Sequence, residues 1–388
     1  MYRKPTCTYL FDLGTHFAIP LCNSIKGGKQ MKNIKKRNRF GKRMITCIAL
    51  TGGLLLSTLP TSAAAANYTL YTTGSSVDKT TTTTFGQVYM GGSTDVDEAF
   101  KWMINKANGG DFLILRATGS DGYNQYVYDL ANSIGKPLNS VSTIVVTDLA
   151  NAGSDSSLIS RINKAEGIFF AGGNQADYVD FLEGTPALTA LNNRIAQGIP
   201  FGGTSAGTMI QGDHIYDSIS AGSTTLDSAT ALKNPYSSLI SFTDYLIQTP
   251  HNNHVQTDTH FEQRDRMGRF LTFLARNIKD GEETGTSAKG IAVNEQSALL
   301  VEKDGTAKVV TQPGAVNAAV YMAKTNQAPT TCVSGVPLTF NNVSIYKLFN
   351  GNTFNLSTWS GSGGLSYTLN VNNGTITSST GNIYGGNR

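Results

Sequence analysis

From Phe85 onward the chain alternates short apolar runs with amphipathic ones, and this rhythm limits the fold more than any other feature. FGQVYMGGS reads as a strand and DVDEAFKWMINKA as a helix, with Asp95 as its expected cap. DFLILRATG is a strand, YNQYVYDLANSIG a helix, VSTIVVTD a strand and SDSSLISRINKAEG a helix. GIFFAGG is a strand, QADYVDFLEG opens a helical stretch, and IPFGG is again a strand. Strands alternating with helices build βαβ units, hence an α/β fold with a mostly parallel sheet covered on both faces. In such sheets functional residues gather in the loops beyond the strand C-termini.

One such end carries FGGTSAGTMI, residues 201–210. A buried strand, a tight turn with a serine at its tip and a helix start make the nucleophile-elbow plan, and Gly203-Thr204-Ser205-Ala206-Gly207 fits G-x-S-x-G. Small neighbours let the turn close and a substrate approach Ser205. The helix start supplies N–H donors where an oxyanion would form. A serine that merely caps a helix would give the same local pattern, so the rest of the chain has to supply partners.

A nucleophilic serine needs a base, and the base needs an orienting acid. Beyond residue 66 only His214, His251, His254 and His260 are available. His214 follows Ser205 by nine residues, too close to fold back easily to the tip. His251 and His254 lie in the polar loop PHNNHVQTD, and His260 at a loop-to-helix junction in TDTHFEQRDR. No histidine follows residue 260. The order serine, acid, histidine of the α/β-hydrolases is therefore harder to satisfy than serine, histidine, acid. Glu295, in KGIAVNEQSALL, is a candidate acid at a strand end. The clustering of His251, His254, Asp258 and His260 would also permit a metal site.

GIFFAGGNQ, GGTSAG, DTHFEQRDRMGR and GIAVNEQSAL, in that order, resemble the cyanophycinase branch of the S51 serine peptidases, relatives of the aspartyl dipeptidases. The likeness spans roughly residues 85 to 323. It implies a three-layer sandwich of the class I glutamine amidotransferase-like, flavodoxin-like kind. It further implies Ser205 as nucleophile, His260 as general base and Glu295 as the acid that orients it. Gln175 matches a glutamine beside the family's site, and Asp258 an acidic position in the histidine block. Arg264, Arg266 and Arg269 match three arginines expected to serve substrate carboxylates or pocket structure. On a helix Arg266 and Arg269 share a face and Arg264 does not, so the three are not all expected on substrate. Backbone N–H groups at Ala206 and Gly173 would form the oxyanion hole. No cofactor and no metal are implied, and a homodimer is allowed. The implied substrate is cyanophycin, a poly-aspartate with arginine amide-linked to each side-chain carboxylate, or a shorter aspartyl or isoaspartyl peptide. The departures are Asn174 and Asn294, where the family often has acids, and the loop RATGSDGYN at 116–124, which is expected to border the site.

The ends of the chain read differently. The basic run at 31–43, the apolar MITCIALTGGLLLSTL and the small-residue SAAAA give the order of a signal peptide, with Met31 a better start than Met1. The apolar run is too short for a comfortable membrane span. Residues 1–66 are thus expected to be a leader on a secreted protein. Of 31 Lys plus Arg, 11 lie there, and of 27 Asp plus Glu only Asp12 does. The remainder holds 20 basic and 26 acidic residues, a net of −6, and no nucleic-acid or membrane partner is suggested. Only Cys332 remains after the leader, so no internal disulfide is expected. Residues 67–84 form a Thr-rich lead-in to a catalytic region at 85–328, where FEQRDRMGRFLTFLARN (261–277) reads as an amphipathic helix. KGIAVNE and ALLVEKDGTAKVV read as strands, with a hairpin turn at Asp304-Gly305. Residues 329–388 lose charge and read as a small β-rich extension, whose polar and aromatic composition also suits a surface-binding module.

Overall fold

A computed structural model describes residues 66–386. The expected leader lies outside them, apart from Ala66. The chain runs β1 (Tyr68–Gly74), β2 (Gly86–Met90), α1 (Asp97–Ala107), β3 (Asp111–Arg116), α2 (Gly122–Ser133) and β4 (Ser140–Val146). It continues α3 (Leu149–Ala152), α4 (Ser156–Lys164), β5 (Gly167–Phe170), α5 (Gln175–Leu182), α6 (Pro186–Ala196), β6 (Pro200–Thr204) and α7 (Ala206–Met209). Next come β7 (His214–Tyr216), α8 (Ser228–Lys233), β8 (Phe242–Asp244), β9 (Val255–Thr259), α9 (Met267–Asp280), β10 (Lys289–Val293), β11 (Ser297–Val301), β12 (Thr306–Thr311) and β13 (Val320–Lys324). The end is β-rich: β14 (Thr331–Val333), β15 (Val336–Leu348), β16 (Thr353–Asn355), β17 (Ser360–Ser362), β18 (Leu365–Asn372) and β19 (Thr375–Ser378).

These strands form two sheets. The first has the order β1-β4-β3-β5-β6-β2-β11-β12-β16-β17, and its β4-β3-β5-β6-β2 run is parallel throughout. The second has the order β19-β18-β15-β13-β10-β9-β7-β8, with β10, β9 and β7 parallel. The sheets are mixed, because hairpins such as β11–β12 around Asp304-Gly305 join antiparallel strands at the margins. The Thr-rich lead-in supplies β1, which pairs antiparallel with β4. The C-terminal strands complete both sheets: β15, β18 and β19 extend the second, and β16 and β17 extend the first.

Period-2 alternation sorts the side chains into layers. In β2, Val88 and Met90 join the core under α1 and α2 with Phe100 and Met103, while Tyr89 faces the opposite way. In β5, Ile168 and Phe170 face a core that contains Leu158, Leu182 and Leu191 from α4, α5 and α6. Tyr89, Leu299 and Val301 meet Ile291, Val293, Val320 and Met322 in a core between the sheets. The intervening Ala292, Tyr321 and Ala323 turn to the far side, where Phe270, Leu271 and Leu274 of α9 cover them. Tight cores of this kind fix the relative height of the strand ends.

Two local expectations change. The cap of α1 is Val96, without a side-chain hydrogen bond, so Asp95 does not cap it. The helix expected over 261–277 starts only at Met267, because His260 and Asp265 take φ of 47° each and residues 261–265 form turns. Among the described residues no helix is long and apolar enough to cross a membrane, and Cys332 is buried and unbridged.

Candidate active site

Six parallel strand ends converge on one cleft. β6 delivers Ser205, β9 delivers His260, β10 leads to Glu295, β2 to Gly92, β3 to Arg116 and β5 to Gly172 and Gly173. The register explains part of this meeting, since Thr259 stands opposite Val293 and the next residues of β9 and β10 leave the sheet side by side. The end of β2 ties the rest: Met90 C=O accepts from Ser205 N–H at 3.1 Å, and Gly91 C=O accepts from His260 N–H at 2.9 Å.

Ser205 sits at φ 54°, ψ −118°, between β6 and the single turn of α7. This conformation costs on the order of 1–3 kcal/mol and persists only where the surroundings enforce it. The surroundings also explain the small residues. A Cβ on Gly207 would stand 2.2 Å from Phe170 O, and one on Gly203 would stand 2.4 Å from Gly207 O. The glycines therefore let α7 lie directly against β5 and β6. Ala206 N–H, the first amide of α7, has no acceptor among the described residues. A Cβ on Gly172 would lie 3.9 Å from Ser205 Oγ, so this loop runs close beside the serine, and Gly173 lines the cleft with it.

The partners complete a continuous chain. Ser205 Oγ lies 2.7 Å from His260 Nε2, and His260 Nδ1 lies 2.6 Å from Glu295 Oε1. The imidazole is buried, and this desolvation holds its pKa well below the ordinary value. The nearby Arg264 and Arg266 charges act in the same direction, and the Glu295 hydrogen bond opposes them. The ring is thus neutral at physiological pH, as a base toward a hydroxyl requires. Asn294, fully buried, fixes the surrounding loops: its amide N–H₂ donates to Glu262 at 3.1 Å and to the Asn317 carbonyl, and its oxygen accepts from Glu262 N–H at 3.0 Å. An acid at this position could not donate either bond.

Not every residue singled out in the sequence reaches the cleft. Arg264 does: its side chain is half exposed, lines the cleft and comes within 3.8 Å of Glu295. Asp258 and Arg269 do not, which corrects their expected role on substrate. Asp258 is fully buried and accepts from Arg269 Nε at 2.8 Å and from its Nη2. Arg266 is buried as well, donates to Thr259 O at 2.8 Å and lies 3.6 Å from Asp258. These two arginines and one carboxylate brace the start of α9 from inside. Gln175 is likewise corrected: its amide donates to Tyr216 O at 3.1 Å and does not line the cleft. Asn174 caps α5 and accepts from Ser218 Oγ at 2.8 Å.

The loop at 116–124 supplies what the motifs missed. Arg116 and Tyr123 line the cleft, with the guanidinium stacked over the Tyr123 ring and tied to the Thr118 and Ser120 carbonyls. Asp95 lies by Tyr123 and Thr204, and burial raises its pKa. The metal arrangement that the histidine spacing would permit does not form as such. Asp258 and His260 serve the network just described, His251 hydrogen-bonds Lys303 O, and His254 lies elsewhere.

Comparisons with known proteins bear on the chain as a whole. The sequence model of peptidase family S51 matches residues 83–309. A cyanophycinase of Synechococcus elongatus is 26% identical over 241 residues, which cover 61% of this chain and 66% of that protein. A cyanophycinase of Geminocystis herdmanii is 26% identical over 207 residues, 53% of this chain and 68% of that protein. The chain spans just under two thirds of the length of the Synechococcus protein. A peptidase crystal structure from an acI-B1 actinobacterium aligns over 71% of this chain and 98% of its own, at 15% identity and a TM-score of 0.46. A putative peptidase E of Listeria monocytogenes aligns over 59% and 98%, at 15% identity and a TM-score of 0.37.

Proposed function

Because the chain belongs to peptidase family S51, we propose that it is a serine-type peptidase that cleaves aspartyl peptide bonds through an acyl-enzyme on Ser205. The observation that carries this reading is the unbroken hydrogen-bond path from Ser205 Oγ through His260 to Glu295. His260 Nε2 takes the hydroxyl proton as Ser205 attacks the carbonyl carbon. Glu295 holds the ring by Nδ1–H and stabilises the imidazolium that forms. Ala206 N–H and the Gly173 backbone are assigned to the developing oxyanion. The imidazolium then returns its proton to the leaving amine, and water repeats the sequence to release the acid.

The substrate follows from the cleft and the relatives together. Arg116 and Arg264 border Ser205; Glu295, 3.8 Å from Arg264, is bonded to His260, and Asp95 lies by Tyr123. Guanidinium groups so placed suit a carboxylate on the acyl side. An aspartate carrying an amide-linked arginine presents one, because that arginine keeps its own carboxylate. We therefore favour cyanophycin as substrate, with β-aspartyl-arginine as product. A short isoaspartyl peptide also offers a carboxylate and is the second reading. The same proposal places the fold with the class I glutamine amidotransferase-like, flavodoxin-like sandwiches, supported by the parallel β4-β3-β5-β6-β2 run. It includes export by a signal peptide within residues 1–66, an assignment that rests on the sequence of that segment.

Mass spectrometry of the products from cyanophycin, beside the Ser205→Ala variant, tests the proposal. β-Aspartyl-arginine from the parent alone supports both substrate and nucleophile. Cleavage of isoaspartyl dipeptides but not of the polymer selects the second reading. Equal product from both proteins removes Ser205 from the mechanism.

A further inference from the structure

His260 immediately follows the C-terminal end of β9. The opposite end, about 20 Å away at ~3.3 Å per residue, holds a second cluster of chemical groups. Three connections meet there. Asp213 lies between α7 and β7, His254 immediately precedes β9, and Glu283 follows α9. One ligand atom from each can be chosen so that all lie within 4.8 Å of one another. They open onto a cleft bordered by Tyr245, Asn253 and Glu282.

The donor atoms already face a common point. His254 Nδ1 stands 2.9 Å and 3.0 Å from the two oxygens of Glu283. Two ligands each about 2.1 Å from a tetrahedral ion are separated by about 3.4 Å, so this pair needs to part by only about 0.5 Å to admit one. Asp213 uses Oδ2 to accept from His254 N–H at 2.8 Å, and its Oδ1 has no donor among the described residues. Glu283 is buried and held from behind: His214 Nε2 lies 2.8 Å from its Oε1, while His214 Nδ1 bonds Asp244 at 2.7 Å. An ordered ligand carboxylate with its own outer hydrogen bonds is the arrangement that metal sites use. His254 has an αL φ of 68°, which turns its half-exposed ring toward the two acids.

We propose that Asp213, His254 and Glu283 form a binding site for a divalent transition metal of the Zn²⁺ class, remote from Ser205. One imidazole nitrogen and two carboxylates without thiolate select a borderline ion over Ca²⁺, which takes six or more oxygens. The ring binds as neutral imidazole through Nδ1, with its proton on Nε2. Water from the cleft fills the remaining positions. The ion clips the β7 entry, the turn before β9 and the exit of α9 to one another, and so stabilises the second sheet without entering the reaction.

The test uses the tag-free protein, stripped with chelator. Zn²⁺ binding is followed by calorimetry, and Co²⁺ by its visible absorption, in the parent and in Asp213→Asn, His254→Asn and His260→Ala. Asparagine tolerates the αL backbone of residue 254, and at 213 it can still accept the His254 N–H. One ion per chain is expected, with a higher melting temperature. Affinity should fall at least tenfold in Asp213→Asn and His254→Asn and stay unchanged in His260→Ala. Absence of saturable uptake by the parent overturns the proposal. So does uptake that survives both Asp213→Asn and His254→Asn, or that disappears with His260→Ala, since the ion would then sit at the catalytic histidine.

Discussion

Replacing Gly207 by alanine perturbs the elbow without altering any reacting group. The added methyl would stand 2.2 Å from the carbonyl oxygen of Phe170, where ordinary contact begins at 3.4 Å. That oxygen belongs to β5, at the centre of the parallel run, so it cannot swing aside like a flexible side chain. The one-turn α7 must retreat by about 1 Å, and Ser205 travels with it. Overpacking of this kind costs about 1–3 kcal/mol of stability. A displacement of about 1 Å at a reacting group costs on the order of a hundredfold in rate. Melting temperature and kcat/KM on an aspartyl peptide should therefore both fall. Gly122→Ala, at the start of α2 where a Cβ meets nothing within 4 Å, serves as the control and should be neutral or stabilising by up to ~1 kcal/mol. A Gly207→Ala protein with parental activity and melting temperature would refute the claim that contact between α7 and β5 positions the serine.

Further outcomes follow from the same geometry. Glu295→Gln keeps the shape of the base pair but loses the charge that orients and stabilises the ring, and should lower kcat by about 10³–10⁴-fold in steady-state assays. Asp258→Asn leaves two buried arginines without their counter-charge, and chemical denaturation should show a loss of about 3–5 kcal/mol. Arg264→Ala, at a half-exposed side chain, should change stability by less than about 0.5 kcal/mol and appear instead as a raised KM for carboxylate-bearing substrates. Because His260 must be neutral to accept the serine proton and its pKa is depressed, kcat/KM should hold steady as pH falls through 6.5 and decline only below it. An acid limb centred at or above 6.5 in a pH–rate profile would contradict the buried environment assigned to the ring.

The parts legible in the sequence are those with a local cause. The strand-helix rhythm from Phe85 corresponds to the β2–β6 run, because periodicity records which faces are buried. The serine at the elbow shows itself through glycines that a single tight contact demands. Scarcity and chain order narrow the base to a few histidines, whereas the resemblance to family S51 singles out His260 and Glu295, and the structure places both in hydrogen-bond reach of the same path. What escaped the sequence depends on contacts far apart in the chain. Asp258, Arg266 and Arg269 have the composition of a substrate pocket, yet their charges satisfy one another in the interior, a distinction that spacing does not encode. The loop that carries Arg116 and Tyr123 is expected to border the site, but no motif singles out these two side chains, because their place depends on β3 ending beside β5. The α9 boundary moved because the left-handed backbone at His260 and Asp265 interrupts a segment whose apolar spacing looks helical throughout.

The nucleophile and its base are mounted on different sheets, Ser205 at the end of β6 and His260 at the end of β9. Their 2.7 Å separation therefore gauges how the sheets align. Tyr89, Leu299, Ile291 and Val320 lie in the core between them, and a methyl group removed there changes the tolerance of the whole assembly. Turnover becomes a strain gauge for a distant seam. Substitutions in this seam should impair catalysis out of proportion to their effect on melting, whereas equally buried changes beneath α1 and α2 should affect both together.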